Sequence, residues 1–438
     1  MLGQIGRMIR VRRNPVLAWA LYDWANSAFA TTVMAGFFPV FFKQYWASGR
    51  DVADSTFLLG SANSAASLLI VISAPILGAI ADRGGAKKRF LGFFAFIGVT
   101  MTAGLFLIAE GQWALALALY IAAVLGFSGG NIFYDALLVD VAREQALDRV
   151  SALGFGLGYI GGGLLFTINV LMTLSPQSFG LGDTGAAVRV SFLCVAVWWA
   201  VFSIPVMLWV EERPGPPGGG WAAAVVGGFR QLRSTFLHLR QLRVTFLFLI
   251  AYWLYIDGVD TIVRMAVDYG LSLGFDSGGL MLALLITQFV GFPAALVFGR
   301  IGERRGPKQG IMIAIFVYLL VVLWAYRIDE VWQFYVLAVS IGLVQGGIQA
   351  LSRSLYARLI PREKAAEFFG FYNMLGKFAA VLGPFLMGWV GVLTGSSRAA
   401  ILSLVVLFIA GALLLALVDE RAGQDAARRV EATGASSD

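Results

Sequence analysis

Gly78-Ala-Ile-Ala-Asp82-Arg83-Gly-Gly85-Ala-Lys87-Lys88 and Gly299-Arg-Ile-Gly-Glu303-Arg304-Arg-Gly306-Pro-Lys308 share one pattern, Gly-x-x-x-acid-Arg-x-Gly-x-Lys. The second copy lies 221 positions after the first, about half of the 438-residue chain. A second pair, Gly154-Phe155 and Gly370-Phe371, recurs at a separation of 216. A duplicated plan of two halves follows. The spacing has a physical use. A glycine lets a helix end come close to its neighbour, and the acid can then face the positive N-terminus of an adjacent helix. The basic residues anchor the loop at a membrane surface and can pair with the acid. Such contacts lock one arrangement of two halves and break in the other. Gly78, Asp82, Arg83, Gly85, Gly299, Glu303, Arg304 and Gly306 are therefore candidate gating residues. The plainer reading is a pair of charged turns; two copies at matched positions argue against it.

Across the chain, 59% of the residues are hydrophobic and 13% are charged, about half of the roughly 25% usual in soluble domains. Mean hydropathy is +0.78. These values exclude a soluble enzyme, a disordered chain and a secreted disulfide scaffold. Apolar runs fall near 16–42, 56–81, 90–109, 113–140, 151–174 and 187–210, then near 244–273, 278–300, 309–326, 331–357, 367–393 and 397–418. Each is long enough for a membrane-spanning helix of about 20 residues. Lipid offers the backbone no water partner, so each run should be helical, and the runs lack the alternation of barrel strands. The expected fold is an all-α polytopic membrane protein with 12 transmembrane helices in two pseudo-symmetric six-helix bundles. The expected units are 1–210, a linker at 211–243, 244–418, and a disordered cytoplasmic tail at 419–438. No cleavable signal peptide is evident.

Loops on the N-terminal side carry 26 of the Lys and Arg residues, Arg353 among them, against 6 on the opposite side. The positive-inside rule then puts both termini in the cytoplasm, and topology accounts for the net charge of +7 without nucleic acid. Within the linker, Glu211 to Gly220 reads as a helix stop and flexible stretch. Val226, Phe229, Leu232, Phe236 and Leu239 follow at helical spacing with Arg230, Arg233 and Arg240 interleaved. Two readings stay open: an amphipathic helix on the inner membrane surface, or a loop helix packed on the two units.

The lone cysteine, Cys194, allows no intrachain disulfide, and the lone histidine, His238, falls in a loop. A His/Cys metal site and a buried Ser-His-Asp triad are excluded. Gly158, Gly161, Gly162 and Gly163 lack the Lys-Ser/Thr ending of a phosphate cradle and read as close helix packing. No cofactor and no enzymatic activity are expected.

The paired loops and the six-plus-six plan resemble the major facilitator superfamily along the whole chain. A narrower resemblance rests on Trp19-Ala-Leu-Tyr22-Asp23-Trp24-Ala-Asn26-Ser27-Ala-Phe29 in span one, Tyr255-Ile-Asp257-Gly258-Val259-Asp260-Thr261-Ile262 in span seven, Gly342-Leu-Val-Gln345-Gly346-Gly347-Ile-Gln349-Ala-Leu-Ser352-Arg353-Ser354 in span ten, and Glu367-Phe-Phe-Gly370-Phe371-Tyr372-Asn373-Met-Leu-Gly376-Lys377-Phe378 in span eleven. These are similar to the "unknown major facilitator" family, which includes the autophagy-related vacuole effluxers. The resemblance implies amino-acid transport, because fungal members export amino acids from the vacuole. The vacuolar lumen corresponds to the cell exterior, so the same direction is uptake in a bacterial cell. The Gly-Pro antiporter pattern is missing from span five, and span four lacks the arginine common in proton-coupled drug exporters. Both absences count against drug efflux.

Ionisable groups inside spans are costly, so each is a candidate for function. Asp23 and Asp135 lie about 10 Å and about 8 Å from the cytoplasmic ends of spans one and four. Asn26 and Asn131 are one turn away. Either carboxylate is a candidate for proton coupling; the plainer reading is a carboxylate satisfied by neighbouring donors. Asp257, beside Gly258 where a helix can break, is a candidate for an ammonium group. Asp260 and Arg264 are read as mutually neutralising. Lys377, Gln345, Gln349, Tyr372 and Asn373 add polar groups. Arg353 is read as marking the inner membrane boundary, with a carboxylate-binding role as the lesser reading. Trp24, Phe371 or Trp253 would supply an apolar wall. Together these residues predict a secondary transporter of a small polar or zwitterionic solute, amino acids first, proton-coupled and monomeric in a bacterial cytoplasmic membrane. The alternatives are an exporter of another metabolite, drug or amphiphile, and a membrane sensor.

Overall fold

The computed structural model of the chain describes residues 14–214, 221–237, 242–272, 277–378 and 382–435. Among the described residues every regular element is helical. Among the same residues, twelve helices are long and apolar enough to cross a membrane. The first six are Pro15–Trp46, Phe57–Gly84, Lys87–Leu107, Trp113–Val141, Glu144–Leu174 and Thr184–Trp209. The second six are Arg243–Val263, Gly279–Arg305, Pro307–Ala325, Val331–Leu359, Arg362–Thr394 and Arg398–Ala416. These are the spans expected from the apolar runs, within a few residues at most ends; the seventh is counted to Val263, although its helix continues to Ser272.

The first span starts by local rules: Asn14 Oδ1 accepts from the Leu17 amide at 3.2 Å, and Pro15 follows at the first helical position, where its missing N–H costs nothing. It is α-helical over Pro15–Ala28 and widens into a π-helix over Phe29–Phe37. Large apolar side chains such as Leu68, Leu69, Phe93 and Phe96 point outward and are exposed, as lipid-facing residues must be.

The two halves meet along a seam with matched pairings. The second span packs on the eleventh and the fifth on the eighth, while the fifth also touches the tenth and the fourth the eleventh. The motif glycines permit this. A Cβ on Gly78 would lie 2.1 Å from the Ala366 carbonyl oxygen, and one on Gly299 would lie 2.6 Å from Ala152 Cβ. Gly85 and Gly306 end their helices at φ +54° and +89°, where a side chain would be strained.

The two loops are not used alike. Asp82 is buried and accepts from the Ala366 and Glu367 amides at 3.0 and 2.9 Å, which is the N-terminus of the eleventh span. Lys87 lies 3.8 Å from Asp82 and 3.0 Å from Asp140. Glu303 and Arg304 are exposed instead. It is Asp148 of the fifth span, in the first half, that ties the seam to the tenth, accepting from Ser354 Oγ at 2.6 Å and Arg358 Nη2 at 2.7 Å.

The linker contains a helix, Trp221–Leu237, packed against the second span. A Cβ on Gly228 would lie 2.8 Å from Ile80 Cγ1, and Gln231 Nε2 donates to Glu367 Oε2 at 2.7 Å. The helix thus packs on the second span with one side, while Val226 and Phe229 on its other side are exposed. His238 and Leu239 lie outside the described residues. The linker's start is fixed too: the Lys88 amide donates to Glu212 Oε2 at 3.0 Å, and burial raises the Glu212 carboxyl above its ordinary pKa.

The tail corrects an expectation. Residues Glu420–Ala435 form a helix. Gly423 lets it seat against Leu359 and Val244. Arg428 Nη2 reaches Glu144 Oε1 at 3.2 Å, and Glu431 Oε1 accepts from the Arg362 amide at 2.6 Å. Polarity and alanine content alone suggested disorder; the docking partners lie far away in sequence.

Candidate functional site

A cavity of about 410 Å³ lies between the halves. Its acid-bearing wall follows from helical spacing. Trp19, Asp23 and Asn26 sit at i, i+4 and i+7 of the first span, so they share one face. That face meets Asn131, Tyr134 and Asp135 of the fourth. Trp19 stacks on Tyr134 with centroids 4.4 Å apart and donates from Nε1 to the Tyr134 carbonyl at 2.8 Å. Tyr134 OH donates to Asp23 Oδ2 at 3.0 Å. Asn26 Nδ2 donates to Asn131 Oδ1 at 2.6 Å.

The opposite wall brings Arg353. It is 2% exposed, and its guanidinium uses the fork geometry that distinguishes arginine. Nη1 lies 3.0 Å from Asp135 Oδ1 and 3.6 Å from Asp23 Oδ2. Nε donates to Ser151 Oγ and Nη2 to the Ser151 carbonyl, both at 2.9 Å. The rings of Phe155, Trp19 and Tyr134 lie 4.3, 4.9 and 5.3 Å from its Cζ. The second oxygen of Asp135 accepts from Asn373 Nδ2 at 3.0 Å. This corrects the reading of Arg353 as a marker of the membrane boundary: it is the cation at the centre of the acid cluster. Two buried carboxylates without such a partner would be prohibitively costly.

Of the residues singled out in the sequence, Asp23, Asn26, Asn131, Asp135, Gln345, Gln349, Tyr372, Asn373 and Lys377 all line this cavity. Asp257 does not. Its helix continues through Gly258 without a break, and Gly258 serves close packing, since a Cβ there would lie 2.8 Å from Phe408. Asp257 is fully buried. It accepts from the Leu382 and Gly383 amides at 3.0 and 2.9 Å and from Thr261 Oγ1 at 3.2 Å. That is a carboxylate at a helix N-terminus, a stabilising arrangement, and not one turned to a ligand. Asp260, one turn on, lines the cavity in its place. The side chain of Arg264 lies outside the described residues.

Sequence reasoning also missed the wall. Phe127, Phe155, Tyr159 and Phe166 supply the aromatic surface, whereas Trp24 stacks on Trp198 at 5.5 Å. The span-five glycines explain how Tyr159 and Phe155 arrive there. Gly158, Gly161 and Gly162 pack against Ser27, Trp24 and Thr31 of the first span, so the larger side chains of that helix turn elsewhere.

Hydrogen bonds between the halves gather at the end that carries the Arg-rich loops. Ser151, Asp148, Asp82 and Asp135 each bond across the seam there. Nearer the other end, Gln288 Nε2 donates to Thr31 Oγ1 at 3.1 Å. The described residues contain no cluster of His, Cys, Asp and Glu suited to a metal ion.

A central polar cavity with inter-half bonds gathered at one end is a geometry that a membrane carrier can use, and comparisons with known proteins support membrane transport. Residues 48–428 match the family model described as "Vacuole effluxer Atg22 like". The chain is 42% identical over 417 residues to the "Uncharacterized MFS-type transporter YxiO" of Bacillus subtilis, covering 94% of this chain and 96% of that protein. It is 31% identical over 321 residues to "Autophagy-related protein 22" of Yarrowia lipolytica, covering 66% of this chain and 53% of the fungal protein; it thus spans about half the length of that relative. The human organic anion transporter MFSD10 superposes with a TM-score of 0.68 at 15% identity, over 92% of this chain and 99% of that one. The proton:xylose symporter XylE does so with a TM-score of 0.68 at 12% identity, over 94% and 95%. The chain belongs to the Atg22-like vacuole effluxer family and is a multi-pass membrane transporter of the major facilitator type.

Proposed function

We propose that this transporter carries a small zwitterionic solute, amino acids first, in exchange with or together with protons. One observation carries the reading: the cavity gathers Arg353 and Lys377, the carboxylates Asp23, Asp135 and Asp260, and several amides against an aromatic wall. A zwitterion needs a cation for its carboxylate, a carboxylate for its ammonium and an apolar surface. A volume of about 410 Å³ lies near the lower end of the roughly 300–1,000 Å³ typical of small-molecule sites. The preference for amino acids comes from the family resemblance.

In this reading both termini and the basic loops face the cytoplasm, and the sealed end is the cytoplasmic one. A proton on Asp23 or Asp135 would remove a charge that holds Arg353. Arg353 would then loosen its grip on Ser151 across the seam, so that proton uptake and opening are linked. Gly78, Asp82 and Lys87 on one side, and Gly299 with Asp148 and Arg358 on the other, would be the latches that break in the alternate state. The chain would act as a monomer. A second reading is a cationic metabolite, favoured by three lining carboxylates against two cations.

The test is uptake of a labelled amino-acid mixture by protein in liposomes, with and without an inward proton gradient, for the parent and Asp23→Asn. Uptake that needs both the gradient and Asp23 supports the reading. No uptake by folded protein sinks the amino-acid assignment, and uptake indifferent to the gradient sinks proton coupling.

A further inference from the structure

A second cavity, of about 880 Å³, opens on the outer face of the eighth span and is lined by apolar side chains of the eighth, ninth and tenth spans, with Thr167 of the fifth at its edge. On the eighth span Leu282, Phe289, Pro293, Val297 and Ile301 form its floor, and Leu343 of the tenth closes one side. At 1.5 Å per residue the floor runs for about 28 Å, close to the roughly 30 Å thickness of a bilayer's hydrocarbon core.

Two basic residues continue the same stripe. Taking about 100° per residue, Arg300 and Arg304 fall within about 20° of Pro293 around the helix axis, in the middle of the groove's face. Both are exposed, and among the described residues neither side chain makes a hydrogen bond or ion pair. Their neighbour Glu303 projects toward the edge of the stripe. Asp82, its counterpart in the first half, is buried against a helix N-terminus, so the second loop leaves its arginines at the mouth of an apolar channel.

We propose that this groove binds one anionic phospholipid, with an acyl chain along the eighth span and the phosphate held between Arg300 and Arg304. Acyl chains gain nothing hydrophobic by leaving bulk lipid for an apolar groove, because lipid tails are equally apolar. Selectivity must therefore come from the headgroup. Guanidinium forks match phosphate oxygens, and arginines at the membrane surface attract anionic lipid. Because the groove is walled by the spans that meet the fifth along the seam, its lipid would favour the arrangement of the halves described above.

Native mass spectrometry of protein reconstituted in vesicles of one part phosphatidylglycerol to three parts phosphatidylethanolamine tests this. The expected result is one retained phosphatidylglycerol per chain, enriched at least threefold over its share of the bilayer. The Arg300→Gln/Arg304→Gln variant should lose that enrichment, while Arg300→Lys/Arg304→Lys should keep most of it. Val297→Trp, which fills the channel and leaves both arginines, should lower retention too. Equal retention of the two lipids by the parent would overturn the proposal. So would unchanged phosphatidylglycerol in the Gln variant, or a lipid-free dimer, which would make the groove a contact between copies. A Gln variant that fails to fold leaves the test to Val297→Trp, whose unchanged retention would equally overturn it.

Discussion

Arg353 on the tenth span donates to Asp135 on the fourth at 3.0 Å, so one ion pair crosses the seam between the halves inside the cavity itself. Asp23 shares the same guanidinium nitrogen at 3.6 Å. Removing one partner of a buried pair leaves the other charge uncompensated and costs about 3–5 kcal/mol, whereas removing both costs far less. Arg353→Gln should therefore destabilise strongly, and Arg353→Gln combined with Asp135→Asn should recover part of the loss, Asp23 still lacking its cation. Thermal unfolding in detergent measures this. Equal stabilities for the single and double variants would mean the pair is not coupled.

Arg353→Lys separates charge from geometry. A lysine keeps the positive charge but cannot hold Asp135 and both Ser151 oxygens at once. Solute uptake should fall at least tenfold with folding intact. Uptake near the parent level would show that charge alone suffices and that the link through Ser151 to the seam plays no part.

The sequence favours a boundary role for this arginine over a binding one, for a physical reason. The twelve spans, the repeat and nine cavity residues were legible because hydropathy, spacing and the cost of intramembrane charge are one-dimensional signals. Arg353 lies near the end of a 29-residue helix, Val331–Leu359, where a basic residue ordinarily marks the membrane surface. The start of the fifth span and the facing sides of the first and fourth, laid against that end, bury it. Asp257 erred in the opposite direction: a carboxylate in a span looked like a ligand group, and its partners are amides 125 and 126 positions away. The tail helix likewise depends on partners contributed by distant loops.

Asp257→Asn follows from that correction. Its carboxylate serves two backbone amides and one hydroxyl, and an asparagine side chain offers one acceptor oxygen. Leaving a buried amide unsatisfied costs about 1–3 kcal/mol. Stability should drop by that order, while the solute concentration for half-maximal uptake should stay within about twofold. A large rise in that concentration with unchanged stability would return Asp257 to the binding site.

The two motif glycines should differ in their sensitivity. At Gly78 an added Cβ meets the backbone at Ala366, 2.1 Å away; at Gly299 it meets the Ala152 methyl at 2.6 Å. Backbone at the N-terminus of the eleventh span cannot yield without dragging the Asp82 contacts with it. Gly78→Ala should thus slow solute exchange by about tenfold or more, and Gly299→Ala by less; Gly299→Ala combined with Ala152→Gly should be close to the parent. Exchange rates in proteoliposomes decide the order. A more damaging Gly299→Ala would place the tighter latch in the second half.

The tail helix gives a weaker latch, which can be tuned. Arg428 of the tail meets Glu144, the first residue of the fifth span, at 3.2 Å, and both side chains are partly exposed. Exposed pairs contribute only about 0.2–1 kcal/mol, so the helix biases the closure of this end without fixing it. Charge reversal at either residue should favour opening and raise the exchange rate by no more than about fivefold, the equivalent of 1 kcal/mol. The double reversal, Arg428→Glu with Glu144→Arg, should restore the parent rate. Salt screens surface charges over about 10 Å at 0.1 M and about 3 Å at 1 M, so the single-variant effect should shrink as salt rises. A rate change that persists at 1 M salt, or that the double reversal fails to restore, would show that the tail acts through its packing on Leu359 and Val244 instead of through this pair.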